Sequence, residues 1–173
     1  MSGVDSGITL HKLHVDPSFK PVKQKKRNFS DDKNRVIRKE IEELITAKVI
    51  KELQFPEWIA NVAMVKKSNN KWKMCTDFTN LNKACPKDYY PLACLGRLVD
   101  DSVGHEVFDF LDASRGYHQI LLDESDQEKT TFITEYGLYC WRLMPFGLKN
   151  VQATYQKMVN KKRAKKEGNT SKI

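Results

Sequence analysis

The apolar pattern of this chain changes period at Pro56, and that change restricts the folds open to it. Before it, Val36, Ile37, Ile41, Leu44 and Ile45 recur at helical spacing, with Arg38, Lys39, Glu42 and Glu43 on the opposite side. Ser30 is an N-cap candidate, and Asp31 and Asp32 suit a first turn, so the pattern predicts an amphipathic helix over residues 31–47. After Pro56 the rhythm is that of strands. WIANVAMV (58–65) and KWKMCTDF (71–78) flank Lys66-Lys67-Ser68-Asn69-Asn70, which predicts a β-hairpin with a lysine-rich tip. HEVFDFLD (105–112) reads as a buried strand, and QILLD (119–123), TTFIT (130–134) and LYCWRLMP (138–145) as further short strands. Glu135-Tyr136-Gly137 supplies a tight turn between the last two. Leu148, Val151, Tyr155, Met158 and Val159 share one helical face and predict a helix from Leu148 to Asn160. Residues 79–100 read as irregular, broken by Pro86 and Pro91, with at most a short helix before Asp101. The class is α+β.

Three zones follow. Residues 1–29 are polar and basic and read as an extended N-terminal arm. Residues 30–160 hold the folded unit. Residues 161–173 form a basic tail without apolar periodicity, expected to be disordered. The 173 residues suit one compact domain, and a hydrophobic fraction of 40% argues against disorder throughout. No run approaches the ~18 apolar residues that a membrane span requires, and the N-terminus lacks the pattern of a secretory signal. The expectation is an intracellular protein, cytoplasmic or nuclear, with no membrane partner. The net charge of +8 has two readings, a polyanionic partner such as nucleic acid or a solvated lysine surface. Cys75, Cys85, Cys94 and Cys140 show no zinc-ligand spacing and read as free thiols.

Three segments carry more specific information, and their order matters as much as their content. They are WKMCTDFTNLNKACPKDYYPL (72–92), FDFLDASRGYHQILL (108–122) and LMPFGLKNVQATYQKMVN (143–160). In order and spacing they resemble the reverse transcriptase of gypsy-type LTR retrotransposon Pol polyproteins. The similarity runs from about residue 8 to residue 160. The resemblance implies the fingers and part of the palm of a right-hand polymerase fold. It implies an RNA-directed DNA polymerase acting on an RNA or DNA template–primer and a dNTP, with Mg²⁺ as cofactor.

The residues fit that chemistry to different degrees. Two-metal nucleotidyl transfer needs carboxylates to hold divalent cations at the attacking and leaving oxygens. Asp112 ends an apolar run and corresponds to the family's first catalytic aspartate and metal ligand; its alternative role is to cap the following turn. Asp109 lies three residues earlier, on the opposite strand face, and is set aside. By resemblance Ala113, Tyr117, Phe146 and Gly147 line the nucleotide site, with Tyr117 under the incoming sugar. From sequence alone, a packed tyrosine is the simpler reading of Tyr117. Lys67 and Lys73 correspond to basic fingers residues that meet the triphosphate; the alternative is a solvated hairpin tip. Gly147 is read as permitting a close backbone approach before the helix.

Departures from the pattern matter too. Lys73 stands where arginine is commoner, so the bidentate fork is lost. Val151-Gln152 replaces the usual Ala-Pro, which bears on the helix start. No Asp-Asp pair occurs beyond residue 101, so the Y-x-D-D motif is missing, as are thumb and ribonuclease H segments. Asp123 and Asp126 are acidic neighbours that no motif recommends. The expectation is a polymerase domain truncated before Y-x-D-D and inactive as this chain. The alternative is a non-catalytic nucleic-acid-binding remnant. Oligomeric state is open.

Overall fold

The structure, a computed structural model, describes residues 10–91 and 116–170. The expected strand 105–112, with Asp109, Asp112 and Ala113, lies outside the described residues.

Helix α1 (Asp31–Thr46) forms as the periodicity predicts, with Ile37 and Ile41 buried and Ile45 left 40% exposed. Ser30 is its N-cap residue, but its hydroxyl makes no capping bond; its carbonyl takes the Asn34 N–H. Strand β1 (Leu10–His11) pairs in parallel with β5 (Leu121–Leu122). Strands β2 (Ile50–Glu52), β3 (Ala60–Lys66), β4 (Trp72–Asp77), β6 (Phe132–Thr134) and β7 (Gly137–Trp141) form one sheet in the order β2-β7-β6-β3-β4. The β3–β4 hairpin and the two-residue turn between β6 and β7 stand where the sequence predicts them. β3 and β6 pair in parallel. Strands β1 and β2 escape the periodicity reading, because neither lies within a longer run of strand-like pattern.

The region after β4 corrects the expectation of an irregular segment. Thr79–Ala84 forms helix α2. It is six residues long, too short to be stable on propensity alone. Helix α3 (Glu124–Gln127) is equally brief and starts on an Asp123 cap, whose carboxylate accepts from the Ser125 N–H. The last helix, α4 (Val151–Thr170), starts later than expected and continues past Asn160. Gln152 in place of proline does not prevent its start, and the Asn150 carbonyl accepts the first bond, from Thr154. Beyond Asn160, where the sequence suggests a disordered tail, the Lys, Arg, Ala and Glu residues are good helix formers, and helix continues to Thr170.

The main core lies between α1 and the five-stranded sheet, around Ile37, Ile41, Trp58, Val62, Phe132 and Trp141. A smaller cluster, Ile120, Met144 and Met158, seats α4 with Tyr117 and Tyr155 packed on it. Two polar devices connect these parts. At one, His11 on β1 is buried and its Nδ1 lies 2.8 Å from Thr154 Oγ1 on α4. Its Nε2 is buried without a hydrogen-bond partner.

The second device is a clasp between α2 and the loop that leads into α4. Asn82 Nδ2 donates to the Gly147 carbonyl at 2.7 Å, and Asn82 Oδ1 accepts from the Lys149 N–H at 2.7 Å. In return Lys149 Nζ donates to the carbonyls of Asn82 and Cys85, at 3.2 and 2.6 Å. Asn150, in the left-handed region at φ 69°, donates to the Pro86 carbonyl and accepts from the Asp88 N–H. Free carbonyls at the end of α2 thus acquire a cation, and the loop acquires a side-chain frame.

Two predictions follow from these devices. Burial holds the His11 pKa at about 4, below its ordinary 6.5. The unfolded chain therefore takes up a proton as pH falls through 6.5, while the folded chain resists until about 4. Stability present above pH 6.5 should decline by about 3 kcal/mol in total as pH falls to 4. Urea denaturation across that window measures it, and His11→Gln should flatten the slope. The second prediction concerns the clasp. Lys149→Met strands two carbonyls and should cost about 2 kcal/mol in the same assay, while Lys83→Met on exposed α2 surface should cost roughly nothing.

Candidate nucleotide and nucleic-acid site

The hairpin tip is built from backbone bonds that any sequence of this turn chemistry could make. Lys67 N–H donates to the Lys71 carbonyl and Asn70 N–H to the Lys67 carbonyl, with Asn70 at φ 61°. Pairing of Val65 with Lys73 then sets Lys73 two residues back from the turn on β4. Below it Gly116–Gln119 forms one 3-10 turn, which carries Tyr117 and His118. The loop Pro145–Asn150 closes the site from a third direction.

These three segments converge. Tyr117 and Phe146 meet edge to face with centroids 4.7 Å apart, and Tyr155 supports Tyr117 from below at 5.3 Å. Lys73 Nζ lies 5.4 Å from the centre of the Phe146 ring. Such a contact suits a cation that has no carboxylate partner among the described residues. A cleft of about 420 Å³ opens here, lined among others by Lys67, Lys71, Lys73, His118, Trp141 and Phe146. Glu40 and Glu43 of α1 form its other wall, and Glu40 Oε2 accepts the Met74 N–H, blocking the free edge of β4. A polyphosphate entering the tip would meet three lysines, and a flat base would meet aromatic faces.

Gly147 takes φ +94°, a conformation side chains rarely adopt. An added Cβ would meet Thr76 O at 3.6 Å, an ordinary contact. The requirement for glycine is therefore backbone conformation, and the expected close approach is not the constraint. A second groove, about 760 Å³, runs from Tyr117 and Phe146 along Lys87, Tyr89, Tyr90 and α4. Tyr89 in it is 84% exposed. Lys157 bonds Asp88 at 2.5 Å and lies 5.0 Å from the Tyr90 ring.

Of the residues singled out from sequence, Lys67, Lys73, Tyr117, Phe146 and Gly147 are thus gathered at one cleft or on the groove that adjoins it. Asp112 and Ala113 lie outside the described residues. Four residues at this site went unnoticed in the sequence. His118 and Trp141 line the cleft, 5.7 Å from each other, and Asn82 and Lys149 frame the loop. His118, Asn82 and Lys149 all lie inside the three quoted segments, so that only Trp141 had no such signal in the sequence.

The acidic neighbours are engaged elsewhere. Asp123 accepts from the Ser125 hydroxyl and, as the cap of α3, from the Ser125 N–H, and pairs with Lys12 at 3.3 Å; these bonds hold its carboxyl below the usual range. Asp126 is buried, accepts the Leu13 N–H at 2.8 Å and pairs with Lys129 at 2.6 Å. Among the described residues no group of three or more His, Cys, Asp or Glu side chains is arranged to hold a metal ion. Burial raises the Cys85 thiol to about 11 and pushes Cys140 up as well, so neither is a thiolate nucleophile. Among the described residues no helix is long and apolar enough to cross a membrane.

Comparison with known proteins agrees with this geometry. Residues 65–167 match the family described as reverse transcriptase (RNA-dependent DNA polymerase). The retrovirus-related Pol polyprotein from transposon 297 of Drosophila melanogaster is 27% identical over 81% of this chain and 14% of its own length. The enzymatic polyprotein of cauliflower mosaic virus (strain Strasbourg) is 32% identical over 82% of this chain and 21% of its own length. This chain therefore spans about a fifth or less of those relatives. The crystal structure of prototype foamy virus protease–reverse transcriptase superposes with a TM-score of 0.70 at 20% identity, covering 87% of this chain and 20% of that one. A foamy viral protease–reverse transcriptase in complex with an RNA/DNA hybrid gives 0.69 at 18% identity, over 86% and 20%. The fold is that of these enzymes, and with more than half of its length matched to the family, the chain belongs to the reverse transcriptases (RNA-dependent DNA polymerases).

Proposed function

We propose that this chain supplies the incoming-nucleotide site of an RNA-directed DNA polymerase from an LTR retrotransposon of the gypsy type. The observation that carries the reading is Phe146 set between Lys73 and Tyr117, three residues from separate segments, where the cleft that holds Lys67 and Lys73 meets the groove that holds Tyr117. Lys67 and Lys73 meet the triphosphate, Tyr117 lies under the sugar, and Phe146 with Gly147 bounds the base. By the resemblance, Ala113 belongs to the same nucleotide site. The groove along Lys87, Tyr89 and Tyr90 takes the template–primer, whose bases stack on exposed aromatic rings.

Asp112 is the proposed Mg²⁺ ligand. The cation would neutralise charge developing on the reacting phosphate oxygens. A two-metal centre needs more carboxylate than one aspartate supplies, and Asp123 and Asp126 are committed to Lys12, Lys129 and the Leu13 N–H. The 173 residues therefore bind nucleotide and nucleic acid without completing the chemistry themselves, which also favours the second reading, a non-catalytic binder.

Both readings are separated by one pair of assays. Titration with a dNTP and Mg²⁺, followed by tryptophan fluorescence of Trp72 and Trp141 at the cleft, should saturate, and Lys73→Gln should weaken binding roughly tenfold. Primer extension on an RNA template should be absent for this chain. It should appear, and depend on Asp112, when the chain is continued through a hairpin of the Tyr-x-Asp-Asp type. Extension by the 173 residues alone, lost in Asp112→Asn, would contradict the argument from carboxylate supply. Absence of saturable dNTP binding would remove the polymerase reading.

A further inference from the structure

The five-stranded sheet ends in two unlike edges. On β4 the edge is occupied, since Glu40 Oε2 accepts the Met74 N–H at 3.0 Å. On β2 it is open. Arg142 N–H donates to the Val49 carbonyl and Leu53 N–H to the Leu138 carbonyl, so the residues that bond β2 to β7 are Val49, Lys51 and Leu53. By alternation the N–H and C=O of Ile50 and Glu52 point away from β7. Among the described residues no strand lies on that side, and no side chain stands in for one as Glu40 does on β4. Donors and acceptors that alternate along a strand are matched by another extended chain.

The surface beside this edge restricts which chain fits. Lys51 and Leu53 project from one face of β2, the face that also carries Leu138 across the ladder. Lys51 is exposed, and among the described residues it forms no ion pair. Next to Leu53 a cleft of about 750 Å³ opens, lined among others by Lys23, Phe55, Ile59, Tyr136 and Leu138. Phe55 is 92% exposed, with its backbone in the left-handed region at φ 59°. A bulky residue rarely adopts that conformation, and here it leaves an aromatic ring of the cleft uncovered. A second copy of the chain is a poor occupant. Two-fold pairing about Lys51 opposes Lys51 to its own equivalent in the closer, non-hydrogen-bonded kind of pair, and pairing about Glu52 opposes two carboxylates. Pairing about Ile50 needs Lys48, which leaves the strand conformation at φ 57°. The occupant that fits carries a carboxylate opposite Lys51 and, on the same face, an apolar side chain opposite Leu53.

We propose that β2 is a docking edge for an extended acidic segment of a partner polypeptide. The segment adds a strand beside Ile50–Glu52, sets a carboxylate on Lys51 and buries an apolar side chain against Leu53, Phe55 and Leu138. Its main chain supplies affinity, and the lysine and the cleft supply selection. The site uses none of the residues of the nucleotide cleft or the adjoining groove named above, so it stands or falls apart from the polymerase reading.

The test is fluorescence anisotropy of the full chain with a labelled peptide of about nine residues, glutamate at its centre, valine two positions to either side and threonine elsewhere. The peptide should bind saturably. Glu52→Pro removes an N–H that the sheet does not use, at an edge position where proline is tolerated. It should keep the parent melting curve and weaken the peptide roughly tenfold. A peptide N-methylated on the threonines that flank the glutamate should lose binding to the unaltered protein, which tests the same bonds without touching the fold. Lys51→Glu should weaken the glutamate peptide roughly tenfold and prefer a peptide with lysine at the centre. Phe55→Ser should weaken the glutamate peptide roughly fivefold. Absence of saturable binding would overturn the proposal. So would indifference to Glu52→Pro and to N-methylation, or equal binding of the glutamate and lysine peptides by the parent chain. A concentration-dependent dimer that Glu52→Pro abolishes would overturn it too, and would give the edge to a second copy.

Discussion

The ammonium of Lys149 lies between the carbonyls of Asn82 and Cys85, and the rest of the site depends on that contact. Helix α2 has six residues and cannot hold itself. Loop 145–150 contains a glycine and an asparagine in left-handed conformations, which cost conformational free energy unless fixed from outside. Each segment supplies what the other lacks: Asn82 satisfies the loop's backbone, and Lys149 and Asn150 satisfy the backbone after α2. The product is a Phe146 ring set against Tyr117 and Lys73. A ring presented by an unsupported loop would not hold that geometry, and about half of Phe146 is exposed to solvent.

How far the sequence could be read follows from element length and from charge. The 16-residue helix α1 and the seven- and six-residue strands β3 and β4 are long enough for periodicity to show, and they form as expected. β1, β2, α2 and α3 are two to six residues each and exist through tertiary bonds, so no local pattern announces them. The charged stretch after Asn160 misled in the other direction, since polarity suggested disorder while the same residues favour helix. The cleft was partly legible. Lys73, Tyr117 and Phe146 stand in the three quoted segments, whereas Trp141 entered by strand register and Asn82, although inside the first segment, by a bond across 65 residues. Neither kind of partnership leaves a trace in a single sequence.

Charge is distributed with the same economy of placement. Several carboxylates around the cleft and the groove already have partners: Glu40 on the edge of β4, Asp77 on Arg27, Asp88 on Lys157. Lys67, Lys71 and Lys73 are left without such partners among the described residues, as are the lysines of the arm. Among the described residues, lysines without an ion pair thus stand at both ends of β3. Exposed cations of this kind add little to stability.

Photo-crosslinking with a dNTP that carries a photoreactive base, followed by mapping of the labelled peptides, tests the nucleotide cleft most directly. The account predicts label on peptides holding Lys73 or Phe146, competed by unlabelled dNTP and reduced by Lys149→Met, which loosens the loop without touching the ligand. Label confined to the arm or to the Lys87–Tyr90 groove, or label at the cleft indifferent to the clasp, would contradict it.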